Sequence, residues 1–478
     1  MRILVLNSGS SSVKFQILDM EDQSVLLKGI VERIGSTRAV LSYQPSEGHK
    51  ISDVREVLDQ DAALRLIVQT ITKPELGVIA STDELDGVGH RVVHGGEEFS
   101  ESVEIDERVT EAIARCAQFA PLHNPPNLRG IEVCRNLMPG TPQVAVFDTA
   151  FHNQMPARAY LYGLPLSLYR LLGIRRYGFH GTSHKYVAGR AAELLGRPLD
   201  GSKLITCHLG NGASISAIEA GVSIDTSMGF TPLEGLVMGT RCGDIDPAIV
   251  SYLMQSEKLS AREVEALMNE QSGLLGLTET TNDIREILEE SERGSQAHVL
   301  ALSVYTYRVK KYIGAYLSAL GGTDAIVFTG GVGENAPAVR AMILDGFEYC
   351  GIEIDSELNE KNEPIVSIGT PAVLIVPTNE ELAIAQDTLR VLREASANAG
   401  EVGGAERARE EIARITPNQK AQLILLWASN PDDSLAEVAR KFNNRFQSSF
   451  SAEAIGTFLS EIGLLDAEAP KEEDSIHV

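Results

Sequence analysis

Apolar and polar positions follow one another in short blocks at the start of the chain. Ile3 to Leu6 is an apolar run that ends at the small polar string Asn7-Ser8-Gly9-Ser10-Ser11-Ser12, and Val13 to Leu18 resumes with strand-forming residues. This pattern predicts strand, small-residue turn, strand. The design returns at Leu204 to Cys207, followed by His208-Leu209-Gly210-Asn211-Gly212-Ala213-Ser214 and then Ile215 to Ile218. A second pair of runs also matches. Val144 to Phe147 leads into Asp148-Thr149, and Ala325 to Phe328 leads into Thr329-Gly330-Gly331. Each follows a helical stretch, such as the amphipathic run carrying Val304, Tyr307, Ile313 and Leu317. Two copies of one α/β unit within residues 1–390 account for the pattern, with a ligand cleft expected between them.

The texture changes after Arg393. Ala395 to Ala408 is rich in Ala, Gly and Glu and reads as a linker. Three helix starts follow. Thr416-Pro417-Asn418-Gln419 is a capping box with proline at the first helical position, and Ser434-Leu435-Ala436-Glu437 is another. Ser451 starts a third helix that Gly463 should stop. The expected layout is therefore residues 1–150 and 151–393 as the two copies, 394–411 as linker, 412–466 as a helical, helix-turn-helix-like appendix, and 467–478 as an acidic tail. The closing helix of the second copy is expected to pack on the first.

Composition narrows the function. The chain has 478 residues, 43% hydrophobic and 23% charged, which is ordinary for a folded globular protein. Its formal net charge of −24 disfavours nucleic acid and anionic membrane surfaces as partners. Residues 399–478 share this bias, with eight basic against fourteen acidic residues. That favours a protein partner over DNA for residues 412–466. Cys116, Cys134, Cys207, Cys242 and Cys350 lack CxxC spacing, so neither a disulfide framework nor a zinc site is indicated. No run approaches the 18 apolar residues of a membrane helix, and the amino terminus is too short in apolar residues for a signal peptide. A cytoplasmic protein is expected.

The chemistry sits in the polar loops. Asn7 to Ser12 beside Lys14 is a turn of small residues that lets backbone N–H groups approach phosphates, with a cation at hand. His208 to Gly212 and Gly331-Val332-Gly333-Glu334-Asn335 are further candidate phosphate or nucleoside loops, although Asn-Gly is also ordinary hairpin chemistry. Neither the Walker sequence nor the protein-kinase set is present. Seven of the ten histidines lie between His90 and His208. His90-Arg91-Val92-Val93-His94, Leu122-His123 among prolines, Phe179-His180-Gly181 and Thr240-Arg241-Cys242 place histidine or arginine in Gly/Pro loops. Singly, each reads as readily as a structural histidine or a solvated arginine. Together they suggest a site for a multiply charged anion. Asp148 directly follows an apolar run, where a metal-holding or substrate-orienting carboxylate sits in an α/β cleft, or where a helix cap sits. Glu380 is likewise either a site carboxylate or a first-turn glutamate.

These motifs in this order, over residues 1 to about 393, resemble the acetate kinase family, within the acetate and sugar kinase/Hsp70/actin superfamily. The resemblance implies two duplicated ribonuclease-H-like (actin-like ATPase) domains with a central cleft, plus an appended all-α domain outside the family pattern. It implies reversible, Mg²⁺-dependent transfer of the ATP γ-phosphoryl group to acetate, giving acetyl phosphate and ADP, with Mn²⁺ as an alternative ion. By the same resemblance, Arg91 and Arg241 hold acetate and the moving phosphoryl group, His180 and His123 donate to it, and Asp148 is an essential carboxylate. That carboxylate is expected to orient groups and Mg²⁺ rather than abstract a proton, because acetate is already ionised. Asn7 and Glu380 match metal positions. Lys14, His208, Leu209, Gly210, Asn211, Gly212, Asp283, Ile284, Arg285, Gly331, Val332, Gly333, Glu334 and Asn335 match nucleotide contacts. Val93, Leu122, Phe179 and Pro232 match an apolar pocket around the acetate methyl, and a homodimer through the second domain is implied. A propionate or other short-chain carboxylate kinase is the rival reading. Outside catalysis, the rivals are an actin- or Hsp70-like nucleotide switch and a sensor of nucleotide or acetyl phosphate acting through the helical appendix.

Overall fold

The apolar runs form the centres of two sheets. In the computed structural model, which describes residues 1–46, 48–76, 78–415, 417–430, 433–446, 450–462 and 464, the strands are β1 (Arg2–Ser8), β2 (Ser12–Asp19), β3 (Ser24–Glu32), β4 (Ser36–Pro45), β5 (Ile51–Val57), β6 (Gly87–Val92), β7 (Val103–Glu104), β8 (Gln143–Phe147), β9 (Lys203–Leu209), β10 (Ala213–Glu219), β11 (Val222–Thr226), β12 (Ala325–Thr329) and β13 (Ala372–Ile375). The first sheet runs β5-β4-β3-β2-β1-β6-β8-β7 and the second β11-β10-β9-β12-β13. Contacts divide the chain into Met1–Val391, which holds both sheets, and Leu392–Val478.

Each sheet contains the same five-strand plan: an antiparallel meander of three, then two strands parallel to the first of them. The fold is therefore α/β, with two copies of an actin-like unit. The topology corrects one pairing read from sequence. β12 occupies the fourth position of its sheet and corresponds to β6, whereas β8 occupies the fifth and corresponds to β13. The physical reason is that β8 and β12 are both buried at every residue. Parallel central strands read as continuous apolar runs, and such runs carry no mark of their place in the sheet. β6, which contains His90 and Arg91, conceals its equivalence to β12.

Alternation still operates inside these runs. Ile326 and Phe328 pack with Ala301, Tyr305 and Val309 of the helix Gln296–Leu320, while Ala325 and Val327 pack with Val187 and Ala191 of the helix Gly181–Leu194. Within the longer helix Ile313 faces the core, Val304 and Leu317 lie against it, and Tyr307 points outward at 63% exposure, against the expectation from spacing. The helix Glu380–Arg414 starts directly on the first sheet. A Cβ at Gly89 would stand 2.4 Å from Thr388 Oγ1 and 2.8 Å from Ile384 Cγ2, so only glycine allows that approach. Ser102 Oγ donates to Asp387 at 2.8 Å beside it.

In the second unit, Ala395 to Ala408 is helical, within Glu380–Arg414, rather than an irregular linker. Its Ala, Glu and Arg residues are strong helix formers and outweigh the glycines. The helices Pro417–Ala428, Leu435–Phe446 and Ala452–Glu461 follow. The capping box at Ser434 and Glu437 is formed in both directions, and Ser451 caps the last helix. Thr416, Gly463 and the tail 467–478 lie outside the described residues. Leu423, Val438, Phe442, Ile455 and Leu459 give this unit its own core. Phe442 is fully buried with its ring 4.8 Å from Phe446. Phe442→Ala should therefore destabilise the unit by about 3–5 kcal/mol. Amide hydrogen exchange across residues 435–461 would accelerate accordingly, and unchanged exchange would contradict this account.

Candidate active site

The carboxyl ends of β6 and β8 deliver the first charged pair. Arg91 lies opposite Val146 in the parallel register, and Asp148 follows the last residue of β8. Arg91 Nε donates to Asp148 Oδ1 at 3.0 Å and Nη2 to Oδ2 at 2.6 Å. Two parallel bonds of this kind require the carboxylate. Burial of Asp148 raises its proton affinity, and Arg91 opposes the rise. Glu380 Oε2, at the start of its helix, lies 3.8 Å from Arg91 Nε. The Arg91 proton affinity is raised by these carboxylates despite its own burial.

His180 stands at the turn into the helix Gly181–Leu194, with a left-handed φ of 57°. The next residue must approach Asp148 closely. Gly181 N donates to Asp148 O at 2.9 Å, and a Cβ there would fall 2.2 Å from that oxygen. The His180 ring stacks on His208 at 4.3 Å, and its Nδ1 is 2.9 Å from Ser214 Oγ. Burial, the neighbouring His208 and His184, and then Arg91 and Arg241 push the His180 proton affinity well below the usual range. His123 is lowered by burial and by the same two arginines. The positions reserved around Gly212 show the convergence directly: a Cβ there would be 3.5 Å from both Arg241 Nη1 and His180 Nε2. Arg241 Nη1 also donates to Pro232 O at 3.3 Å. Arg91, Arg241, His123 and His180 thus share one cleft.

The nucleotide candidates join this cleft through backbone contacts. β9 and β12 run side by side with Thr329 opposite His208. Their loops touch where Gly330, at a φ of 76°, would place a Cβ 2.8 Å from Leu209 O. Glu334 Oε1 accepts from Gly330 N and Thr378 N, so this side chain braces the loop rather than facing outward. Asn211 O accepts from Gly239 N, and Asn211 Oδ1 accepts from Asn282 Nδ2 at 3.0 Å, which brings Asp283-Ile284-Arg285 alongside. Asp283 caps its helix and pairs with Arg285. Lys14 is exposed opposite Asn7 and shares a pocket of about 370 Å³ with Glu381.

Val93 and Phe179 are buried in the core beside the cleft, and Leu122 is 67% exposed on the turn before the helix Asn124–Leu137. The histidine clustering also divides. His90, His94, His152 and His184 are buried at 2% exposure or less, bonded to Gln143, Gly96 N, Ser223 and Thr206 respectively. Other important residues carried little sequence signal. Asn127 accepts from Val93 N and donates to Ser8 O at 2.7 Å, locking the Asn7–Ser12 turn to the end of β6. Arg340 is fully buried and donates to Gly333 O and Glu334 O, which fixes the Gly331–Asn335 loop. The asparagines flanking Pro125-Pro126 were the only visible hint of such bracing.

A duplicated actin-like fold whose cleft gathers arginines and histidines beside glycine loops defines the phosphotransferase class. The chain belongs to the acetokinase family, whose model matches residues 2–386. It is similar to the acetate kinase of Desulfitobacterium hafniense (strain DSM 10664 / DCB-2), with 53% identity over 397 residues covering 82% of this chain and all of that one. Among solved structures, it resembles the Porphyromonas gingivalis acetate kinase (45% identity, TM-score 0.79, covering 82% of this chain and 99% of that one). It also resembles a propionate kinase from Francisella tularensis subsp. tularensis SCHU S4 (40% identity, TM-score 0.77, with the same coverages).

Two outcomes follow from the geometry. Gly181→Ala must push the helix start away from Asp148 O, so turnover should fall by at least about tenfold while the protein stays folded; normal kinetics would refute the close approach. Burial lowers His90 and His152 to about 4. Their neutral burial therefore contributes stability that is intact above pH 6.5 and lost as the pH falls toward 4, at about 1.4 kcal/mol per pH unit for each. Urea midpoints should drop between pH 6.5 and 4, with a shallower slope in His90→Gln. A flat profile would count against it.

Proposed function

We propose that this protein is an acetate kinase, transferring the γ-phosphoryl group of ATP to acetate, reversibly and directly in line, to give acetyl phosphate and ADP. The observation that carries the reading is the convergence of Arg91, Arg241, His123 and His180 on one cleft flanked by the Asp148 and Glu380 carboxylates. In such a transfer, charge spreads over the equatorial oxygens of the moving group and must be met by fixed donors. Arg91 and Arg241 hold the two anions, acetate and phosphoryl, close together against their repulsion. His180 and His123 donate to the oxygens. Asp148 orients Arg91, since acetate needs no base. Lys14 and the loops 208–212, 283–285 and 331–335 hold the nucleotide.

The donor set also fits Mg²⁺. Asn7, Asp148 and Glu380 offer hard oxygen ligands, and the Asp148 and Glu380 carboxylates both lie beside Arg91. A magnesium ion held by one or two carboxylates with nucleotide phosphates matches this arrangement. When bound, the ion neutralises phosphate charge.

Val93, Leu122, Phe179 and Pro232 supply the apolar side of the acetate subsite. One methylene discriminates by only about 1–3 kcal/mol, so propionate is the competing substrate, in keeping with the likeness to a propionate kinase. A homodimer is supported by the helices Leu166–Leu172 and Ala248–Ser256, which bury no residue although they are largely apolar. Leu171 is 80% and Tyr252 67% exposed. Among the described residues no helix is long and apolar enough to cross a membrane, and we read the enzyme as acting in the cytoplasm. The appended helices, in a stretch (399–478) that is acidic on balance, are read as a protein-contact module.

Trapping the acyl phosphate with hydroxylamine should give acetate the highest kcat/KM among C2–C4 acids, and equal or better use of butyrate would overturn the assignment. Arg241→Ala should lose at least about 10²-fold in kcat with the fold retained. Leu171→Glu with Tyr252→Glu should halve the mass measured by light scattering, and an unchanged mass would remove these helices from the interface.

A further inference from the structure

Behind the cleft, four side chains form a continuous chain of hydrogen bonds. Thr206 on β9 and Ser214 on β10 are fully buried and bracket His184, which is itself fully buried. Thr206 Oγ1 lies 2.7 Å from His184 Nδ1, and Ser214 Oγ lies 2.7 Å from His184 Nε2. Ser214 Oγ is also 2.9 Å from His180 Nδ1. The strand register places these groups without adjustment. Thr206 pairs with Ser216 and His208 with Ser214, so Thr206 and Ser214 are diagonal neighbours on one face of the hairpin.

Each hydroxyl has one proton to give, and each neutral imidazole has one N–H. Burial and nearby histidine charge keep both His180 and His184 neutral. Three proton orders keep all three bonds, but the one in which both rings donate to Ser214 leaves the buried Ser214 hydroxyl proton with no partner among the described residues, so two senses remain. In the first, Thr206 donates to His184 Nδ1, His184 Nε2–H donates to Ser214, and Ser214 donates to His180 Nδ1. His180 then carries its proton on Nε2. In the second, every bond is reversed and His180 carries its proton on Nδ1. The reversed order turns Thr206 into an acceptor and leaves its own hydroxyl proton with no partner, because His184 is its one side-chain contact among the described residues. A fully buried hydroxyl does not readily leave its proton unbonded. The first order satisfies every group.

We infer that Thr206, His184 and Ser214 form a positioning relay that fixes His180 as the Nε2–H tautomer, with its single proton presented to the cleft. Nε2 is the ring nitrogen that, with Cε1, faces Gly212 and shares that space with Arg241 Nη1. An Nε2–H there donates to an anionic oxygen, whereas a bare Nε2 lone pair would repel it. The relay rests on the reading that His180 donates to the transferring phosphoryl group, but the tautomer itself is measured independently of turnover.

The experiment uses the full-length protein labelled with ¹⁵N-histidine. Two-bond ¹H–¹⁵N spectra distinguish protonated from unprotonated ring nitrogens, and a His180→Gln sample assigns the signal. The expected result is a protonated Nε2 and a bare Nδ1 on His180. Thr206→Val removes the end donor, so the Nδ1–H form should appear and kcat should fall roughly tenfold with little change in KM, a smaller loss than removal of a whole donor. Thr206→Ser should restore both. A wild-type Nδ1–H tautomer would overturn the relay, as would a Thr206→Val protein with unchanged tautomer and kcat. Should Thr206→Val fail to fold, the wild-type spectrum and Ser214→Ala decide the question alone. Absence of acetate-dependent turnover in the wild type would sink the acetate reading and leave the tautomer result standing.

Discussion

Two opposite charges at the ends of neighbouring parallel strands set the terms for everything around them. Arg91 and Asp148 meet in a two-pronged ion pair with Asp148 almost fully buried. Removing either partner would leave an uncompensated charge in a low-dielectric site, so the pair survives only with this geometry. The surrounding structure is built to supply it. Asp148 N is held by Val92 O at 2.9 Å, and the same residue's carbonyl is held by Gly181 N. The glycine at 181 exists because of that contact, and the left-handed turn at His180 follows from it. A single pair thus positions the end of β6, the end of β8 and the start of the following helix together.

The duplication explains how the remaining charges reach the same place. Both sheets present the carboxyl ends of their parallel strands to the cleft, where α/β proteins bind ligands. One copy contributes Arg91, His123 and Asp148; the other contributes His208, Asn211 and Arg241, and Glu380 arrives on the helix that leads back across β6. A protein with a net charge of −24 would otherwise repel nucleotide and carboxylate. Concentrating unpaired or partly paired cations in one concave region reverses the local field without changing the global one.

How much of this was legible depended on whether the chemistry occupied a contiguous string. The Asn7–Ser12 turn, the His208–Gly212 hairpin and the Gly331–Asn335 loop stand together in the chain, and their strands and loops could be placed from spacing alone. The register of the duplication could not, because β8 and β12 are both uninterrupted apolar runs whose place in the sheet depends on partners far away. The buried histidines resembled site histidines for a related reason: His90 and Arg91 are adjacent in sequence, yet strand alternation sends His90 to Gln143 and Arg91 to Asp148. Asn127, Arg340, Thr206 and Ser214 act through bonds to backbone or to residues on other strands. Beyond the asparagines beside Pro125-Pro126 nothing local marks them, and the assembled topology reveals their work.

The choice of cationic groups has a consequence for how the cleft meets its anions. Arginine stays charged across the whole physiological range, and the two arginines supply the fixed positive charge. The histidines, buried and set beside those arginines, with His180 also against His208 and His184, are held neutral, so they contribute directed N–H bonds rather than further charge. Protonating them would add repulsion among four cations in a buried space. This division keeps the electrostatic attraction for phosphate and carboxylate constant while leaving orientation to neutral donors. It also places a strict demand on the histidines, because a neutral ring has one proton and two nitrogens. A site of this kind works only if something behind each ring decides which nitrogen holds the proton, and for His180 that decision lies with the hydroxyls of the sheet.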